Sequence, residues 1–585
     1  MKIGLIGINM YPKYLNFACG LHTYAFQQFL LQHDIDNTVI DYKPVYFGNF
    51  DMRHPSDSYK EEYLRVEKMH VDTLDAKEAK VEKLEELQTK IDDWDALYTE
   101  RENRYDKFQK FINDKYIRTS EKYDSDLLEV QDPGFDCYIC VTDVIWNLLP
   151  THMYDRGFFL ASRAMDGKQK ISYAASRGVP KPYTDNAKDL FFHYIDDIED
   201  ISVREESLKE FIEDNSEKEA KLVLDPVLLH DKVFWQKISV KPKEERYILL
   251  YYVMEKATQT IVRAVEYAKK YDIQIIEMSD RPVKNGRVND ENVKHIAKYD
   301  VSMEEWLGYI EHAECIFTNS FHGCCFSIIF EKIFYVGFRM GDKVSNFLKM
   351  FGLQSRMMPK KKNKSNEKFS ITTKKTLKKR IRDILKYIKP RMRKKTVYGK
   401  EFLSMPTLID YTSVEKRLAV WKMASTDFIL NAIQSAESRM RDGITKNEQS
   451  YEDYRKQLTY PVNYHSGKPG TSNTYDPTQS GYSMKSFPSG NSEYSRCGDL
   501  YQNNGSSCFE KNQFALVGHK FMGWNVRIKI DNRWFWYMKD ASLMCTDNID
   551  FDENDRMLFE DGVAIPYISV NRIRIMVAEA KWQKC

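Results

Sequence analysis

The sequence predicts an α/β chain of two Rossmann-like halves, with a helical insertion in the first half and a β-rich region at the C-terminus. Three observations carry this expectation. Short apolar runs suited to buried strands alternate with helix-periodic segments from Met1 to about Leu224, and again from Tyr247 to Phe338. Between 52 and 118 the alternation gives way to a stretch dense in Glu, Lys and Asp, with Val81, Leu84, Leu87, Ile91 and Trp94 at helical spacing. After about residue 511 short aromatic and β-branched runs are separated by turn residues. A chain of 585 residues exceeds a single core, and the length alone suggests about three or four domains.

The first domain is expected over 1–235. Met1 to Gly7 reads as a buried strand, Asn16 to Gly20 as the loop before a helix from Tyr24 to Gln32, and Asn37 to Tyr42 as the second strand. Gly4 and Gly7 do not complete a GxGxxG pattern, so a dinucleotide is not expected. The insertion reads as one or two long amphipathic helices acting as a lid or packing arm, because no heptad persists long enough for a coiled coil. The strands then resume at Asp136–Val141, Lys170–Ala175, Asp200–Arg204 and Lys221–Leu224. Three of them end in polar residues: Thr142-Asp143 with Trp146-Asn147, Ser176-Arg177-Gly178, and Arg204-Glu205-Glu206. Asp225-Pro226 reads as punctuation before the second domain.

The second domain is expected over 236–405. It alternates a strand from Tyr247, a helix from Thr258 to Tyr271, the strand QIIEM, a helix from Met303 to Ala313, and the stretch CIFTNSFHGCCFSIIF from Cys315 to Phe330. A strand from Ile333 to Phe338 follows, ending at Arg339, with Lys343 in the next loop. Within Cys315–Phe330 an apolar run turns polar at Thr318, Asn319 and Ser320, then becomes apolar again after Gly323. That is a strand, a tight loop and a helix. In an open α/β sheet such a loop is where ligands dock, since free backbone N–H groups and the helix dipole favour an anion. His322 is a titratable group placed in that loop.

Residues 356–395 carry 18 Lys or Arg against two acidic residues. From Leu377 to Met392 apolar residues recur at helical spacing between basic ones, so 372–395 reads either as an amphipathic helix for an anionic membrane surface or as a solvated linker. Nucleic acid is not expected there, for want of interleaved aromatics. A closing helix is expected over 406–440, a linker or irregular segment over 441–510, and a small β-sandwich-like domain over 511–585. In that last domain Trp524, Trp534, Trp536 and Tyr537 suit either sugar stacking or cross-strand packing.

Composition narrows the function classes. Net charge is +2 with 30% charged residues, so no global field points to nucleic acid. No run reaches the roughly 20 apolar residues of a membrane span, and Met1-Lys2-Ile3-Gly4 does not open a signal peptide, which makes the cytoplasm the expected compartment. The ten cysteines show no second paired set beyond Cys137-x-x-Cys140 and Cys324-Cys325, and no histidine cluster at zinc spacing. No metal site is expected, and the cysteines read as buried thiols.

The chain resembles the polysaccharide pyruvyl transferase family from Met1 to about Ile433. The matching pieces are MKIGLI with NFAC, VTDVIWN, KISYAAS, DISVREES, KLVLDPVLL, TNSFHG with FSIIF, RMGDKVSNFL with FGLQSR, and the closing IDYTSVEKRL. Where the family commonly has Gly-Ser-Asp this chain has Val141-Thr142-Asp143, and where many members carry Arg two residues before the motif histidine it has Ser320. The resemblance implies a GT-B-like arrangement of the two halves. It implies transfer of a pyruvyl group from phosphoenolpyruvate, the donor substrate, to two hydroxyls of a sugar in a cell-surface polysaccharide or its precursor, forming a cyclic ketal and releasing phosphate, without a cofactor. By motif match His322 is the acid/base or phosphate partner, Arg204 the clamp on carboxylate or phosphate, Asp143 the acceptor-side carboxylate, and Lys343 a second cation. Asn319, Ser320, Gly323, Arg339, Arg356, Asn16 and Trp146 complete the expected substrate site. An Asp at a strand end is also a common helix cap, which leaves Asp143 open between the two roles. The acceptor is expected to be lipid-linked or polymeric at the inner face of the membrane, with an oligomer left open. Two rivals stand beside this reading: a nucleotide-sugar glycosyltransferase on the same architecture, and a glycan-binding scaffold with a degenerate transferase core.

Overall fold

The computed structural model describes most of residues 1–358, residues 408–442, and a set of strands between 462 and 584. The basic segment beyond residue 358, Arg339, and the strands expected at 514–518 and 564–570 lie outside the described residues.

The first half builds one parallel sheet from β1 (Ile3–Ile6), β2 (Asn37–Tyr42), β3 (Arg118–Tyr123), β4 (Cys137–Asp143), β5 (Gln169–Ala175), β6 (Asp200–Val203) and β7 (Ala220–Leu222). Their order across the sheet is β3-β2-β1-β4-β5-β6-β7. The inner strands are apolar on both faces, as a sheet covered by helices requires, and β4 and β5 are buried almost throughout. The strand order reverses direction between β1 and β4. At such a switch point the crossovers leave on opposite faces, opening a crevice beyond the carboxyl ends of the strands. Asp143 stands at that end of β4.

The second half repeats the plan with β8 (Tyr247–Tyr252), β9 (Gln274–Ser279), β10 (His295–Ala297), β11 (Cys315–Thr318) and β12 (Ile333–Val336), in the order β10-β9-β8-β11-β12. Its switch point falls between β8 and β11. There Asn319 ties the two strand ends together, its Oδ1 accepting from Val253 N at 2.8 Å and its Nδ2 donating to Val253 O at 3.0 Å. Two Rossmann-like halves are therefore present, as the alternation of the sequence implied. One apolar cluster runs from Ile3 and Leu21 in the first half to Trp306, Phe326 and Phe347 in the second, so the halves share a core rather than meeting through water.

α1 (Phe17–Gln32) lies between them, and Phe17 stacks on Trp306 with ring centroids 5.3 Å apart. The insertion is three helices rather than the one or two expected: α2 (Pro55–Lys68), α3 (Leu74–Asp95) and α4 (Tyr98–Lys115). α4 packs across to the second half. Arg104, fully buried, donates to Leu15 O at 2.7 Å, Ser279 O at 3.0 Å and Tyr299 O at 3.2 Å. Lys107 pairs with Glu305 at 2.9 Å. The second half adds α8 (Thr258–Tyr271), α9 (Met303–His312), α10 (Phe321–Ile329) and α11 (Lys343–Met350), the first half having contributed α5 (Asp185–Asp196), α6 (Glu206–Glu213) and α7 (Lys232–Gln236). A 31-residue helix, α12 (Tyr411–Arg441), closes the unit. At one end Tyr411 donates to Lys332 O of the second half, and at the other Arg439 meets Asp200 of the first at 2.9 Å. Among the described residues no helix is long and apolar enough to cross a membrane.

Beyond residue 460 the described strands are β13 (Val462–His465), β14 (Leu500–Gln502), β15 (His519–Ile530), β16 (Arg533–Tyr537), β17 (Leu543–Cys545), β18 (Leu558–Phe559) and β19 (Ile573–Lys584). Two details differ from expectation. The β-rich region starts inside the stretch read as linker, because β13 and β14 join it. The described strands also form one mixed sheet around the long β15–β19 pair rather than the two layers of a sandwich. Trp524 and Trp536 are buried and Arg556 lies 3.7 Å over the Trp536 ring, so these two tryptophans serve packing.

Candidate active site

The carboxyl ends of both sheets meet at a seam of buried charge. From the first half come Asp143 at the end of β4, Arg204 just after β6, and Asp225 at the start of a 3-10 turn, Pro226–Leu229; from the second come His322 on α10 and Lys343 at the start of α11. Arg204, with a side chain only 1% exposed, is the hub. Its Nη2 donates to Asp143 Oδ1 at 2.6 Å and its Nη1 to Asp225 Oδ2 at 2.5 Å, while Nε lies 3.6 Å from Glu205. Asp225 Oδ2 also faces His322 Nε2 at 3.2 Å across the interdomain boundary. Lys343 Nζ is 3.5 Å from Asp143 Oδ1. The Phe321 ring lies beneath both cations, 4.8 Å from the Arg204 guanidinium and 4.7 Å from Lys343 Nζ.

Local structure explains why these groups point here. Thr142 and Asp143 both have left-handed backbone, φ 38° and 65°, which a β-branched Thr adopts only under constraint. Each such residue costs on the order of 1–3 kcal/mol, a strain characteristic of functional sites. The Thr142 hydroxyl helps hold the bend, lying 3.1 Å from Ala174 O and 3.2 Å from Asp225 Oδ2. Asp225 divides its two oxygens: Oδ1 caps the 3-10 turn by accepting from Val227 N at 3.2 Å, and Oδ2 enters the seam. On the other side Ser320 caps α10 by accepting from Gly323 N at 3.3 Å. Gly323 has no room for a side chain, since a Cβ would stand 2.5 Å from Thr318 Oγ1, so the first turn of α10 sits tight on the end of β11 and presents His322.

The electrostatics follow from burial set against pairing. Burial pushes the Asp143 carboxyl up, but Lys343 and Arg204, with both nearby histidines, overcome it and hold the group well below the usual carboxylate range. Asp225 behaves likewise: burial raises it, and His322 and Arg204 bring it below its ordinary value. Arg204 loses by burial and gains more from Asp143, Asp225 and Glu205, so its affinity for a proton rises. Glu205 remains raised, because burial outweighs Arg204 there. His22, on α1, is fully buried and pushed down by that burial to about 4; its ring lies 5.9 Å from that of His322.

Of the expected site residues, Asp143, Arg204, His322 and Lys343 come together. Asn319, Ser320 and Gly323 shape the loop that carries His322, their polar groups engaged with the backbone. Asn16 caps α1 by accepting from Ala18 N at 3.0 Å. Trp146 is packed in the first-half core, its indole N–H donating to Phe158 O, and Arg356 lies over Tyr335 and donates to Leu408 O; neither reaches the seam. Asp225, Glu205, His22 and Cys19 are at the seam without having been singled out. The cap pattern Asp225-Pro226 was the available clue for Asp225, whereas Cys19 and His22 lie in the apolar, almost wholly buried α1 with no local signal that sets them apart.

The fold and seam define a two-Rossmann α/β protein whose reactive groups converge where two switch points face each other. The sequence profile of the polysaccharide pyruvyl transferase family matches residues 19–336, more than half of the chain, a span that includes Asp143, Arg204, Asp225 and His322. The chain belongs to that family. No curated protein sequence matches it. Among solved structures, it is similar to the UDP-GlcNAc 2-epimerase of Neisseria meningitidis bound to UDP-GlcNAc, at 10% identity over 74% of this chain and 100% of that one, with a TM-score of 0.34. It is also similar to the E. coli heptosyltransferase WaaC with ADP-2-deoxy-2-fluoro heptose, at 9% identity over 58% and 90% of the two chains, with a TM-score of 0.28. Scores this low add nothing to what the strand order of the chain itself shows.

Proposed function

We propose that the protein transfers a pyruvyl group from phosphoenolpyruvate to two hydroxyls of a sugar in a polysaccharide or its precursor. The carrying observation is the Asp225–His322 pair at 3.2 Å, contributed by opposite halves and backed by Arg204. The buried Asp225 carboxylate on Nε2 fixes the orientation of the His322 ring, leaving Nδ1 as the nitrogen for proton transfer. His322 then protonates the methylene carbon of phosphoenolpyruvate. The carbon bearing the phosphate becomes oxocarbenium-like, and one sugar hydroxyl adds to it, losing its proton. Departure of phosphate lets the second hydroxyl close the ketal. Two hydroxyl protons are thus released, one accounting for the new methyl group and one leaving with phosphate.

The remaining groups divide by exposure. Lys343 and Asp143, with side chains each 17% exposed, are the most accessible seam members, followed by His322 at 7%. Lys343 and the amino end of α10 suit the anionic donor, and Asp143 suits an acceptor hydroxyl or the cationic carbon. Arg204 is saturated by carboxylates and acts by positioning Asp143 and Asp225, a reading that moves it from the clamp role implied by the resemblance. The basic segment 372–395 suits recruitment to an anionic membrane carrying a lipid-linked acceptor.

The test is to incubate the purified chain with phosphoenolpyruvate and a panel of β-linked hexose and N-acetylhexosamine acceptors. Phosphate release coupled to an acid-labile mass gain on the sugar is expected. Absence of product across a broad panel, with a nucleotide sugar raising Tm where phosphoenolpyruvate does not, overturns the reading. Salt-sensitive binding to anionic but not neutral vesicles checks the membrane role.

A further inference from the structure

We propose that Cys19, His22 and Asp143 form a site for one divalent metal ion of the zinc type, held by a thiolate, an imidazole and a carboxylate, on the face of Asp143 turned away from Arg204. The inference rests on the placement of Asp143 in the reading above, and adds to that site a group its chemistry did not require.

The geometry is specific. Cys19 and His22 are three residues apart on α1, so one helix face presents both. Asp143, 124 residues later than Cys19, completes the set from the end of β4. The three donor atoms all lie within 4.8 Å of one another. Asp143 Oδ2 is 3.9 Å from Cys19 Sγ and 3.8 Å from His22 Nε2. Ligands about 2.0–2.3 Å from a tetrahedral zinc ion stand roughly 3.4–3.7 Å apart, so closing on a metal needs a contraction of a few tenths of an ångström at these two contacts and of up to about an ångström between Cys19 and His22.

The second observation is His22 Nε2 itself. The ring is fully buried, yet this nitrogen has no hydrogen-bond partner and is aimed at the carboxylate. Leaving a buried nitrogen unsatisfied is destabilising, and metal ligation removes that cost. The other ring nitrogen, Nδ1, lies 3.2 Å from Thr23 Oγ1, the outer contact that ligating histidines generally need to fix the ring. Asp143 is likewise oriented from behind, since Arg204 and Lys343 both engage Oδ1 and leave Oδ2 to Cys19 and His22.

Charge is the main obstacle, and the seam contains an answer to it. The positive groups near Asp143 are Arg204 and Lys343, which disfavour a further cation. Facing them are Asp225 and Glu205 on Arg204, and metal binding displaces the Cys19 proton, adding a thiolate. Asp143 is the one ligand of the three that is not fully buried, and three protein donors leave a fourth coordination position for water or substrate, as in metal sites that keep an open position. The expectation that the chain has no metal site came from Cys and His spacing alone. Such a search finds ligands close in sequence and misses an aspartate brought in from another strand.

Cobalt(II) titrated into the full-length chain after chelator dialysis is the probe. One ion per chain is expected, with a thiolate-to-cobalt charge-transfer band, and zinc should displace it. Cys19→Ser removes the band, His22→Gln weakens binding at least tenfold, and Cys137→Ser, a buried thiol far from the seam, leaves both unchanged. Far-UV circular dichroism establishes that each variant is folded, and Asp143→Asn replaces Cys19→Ser if that one is not. Failure of the wild type to bind a stoichiometric ion, or a band that survives Cys19→Ser, overturns the proposal. Turnover of phosphoenolpyruvate is measured separately: ketal formation by a chain that binds no metal removes this site and keeps the function, whereas binding without turnover does the reverse.

Discussion

Two buried arginines organise this protein by opposite means. Arg204 sits among three carboxylates, and their attraction more than offsets its burial. Arg104, on the inserted α4, sits among backbone carbonyls and aromatic faces, 4.1 Å from the Phe17 ring and 4.7 Å from that of Tyr299, and burial lowers its affinity for a proton. The first environment is ionic and aimed at a partly exposed carboxylate; the second is neutral and closed. The difference separates a residue that organises chemistry from one that organises shape. Both donate to groups from distant parts of the chain, so neither count of contacts nor burial tells them apart. The charge of what they touch does.

The comparison breaks most visibly at Arg204. Arg204→Met removes the shared counter-ion of three buried carboxylates, leaving, among the described residues, Asp143 only Lys343, Asp225 only His322 and Glu205 no cation in contact, and a loss of about 3–5 kcal/mol in unfolding free energy is expected together with loss of turnover. Chemical denaturation read by two probes checks this; a loss below about 1 kcal/mol would show that the ionic seam carries little stability. Asp225→Asn comes next. It removes the carboxylate that orients the His322 ring while keeping the cap on the 3-10 turn, so kcat for the proposed pyruvyl transfer should fall about 10²–10⁴-fold with the fold intact. Steady-state kinetics with circular dichroism distinguish that outcome from unfolding.

Arg104→Met should cost less, about 2–3 kcal/mol for charge-assisted bonds to three carbonyls, and leave kcat per folded molecule unchanged. A fall in kcat as large as that of Asp225→Asn would mean the clamp also sets the geometry of the seam. The smallest effect expected is on pH dependence. The Asp225 carboxyl is depressed in the folded state, so its stabilisation is fully present above its unfolded value, about 3.9, and is lost as pH falls from there through the folded value. Unfolding free energy measured between pH 6 and pH 3 should therefore drop less steeply below about pH 4 in Asp225→Asn than in the wild type. Arg104→Met should run parallel to the wild type, since its partners do not titrate.

Residues near each other in sequence announced their structure well. The Thr258–Tyr271 helix and the Asn37–Tyr42 strand follow from apolar periodicity and lie where it places them. Polar residues at the ends of apolar strands, together with the family resemblance, pointed to Asp143, Arg204, His322 and Lys343. What escaped was multiplicity of role. Asp225-Pro226 satisfies the local pattern of a cap completely, and nothing in that pattern shows that the second oxygen is used elsewhere. Glu205 has the look of a surface acid beside Arg204, and only packing buries it. Cys19 and His22 lie within an apolar helix whose buried surface runs almost all the way round, so periodicity does not single them out.

The sequence by itself determined the two alternating halves, the position of the insertion, and the strand ends on which polar chemistry would stand. These are local properties, set by side-chain period, turn residues and caps acting within a few residues. Tertiary structure decided which strand ends face each other, that Arg204 is spent on carboxylates rather than left for an anion, and that Asp143 turns one oxygen to Arg204 and Lys343 and the other to Cys19 and His22. Those outcomes depend on how two sheets and an inserted helix pack around one shared core. The energy of that packing comes from contacts between residues tens to hundreds of positions apart, which local pattern does not encode.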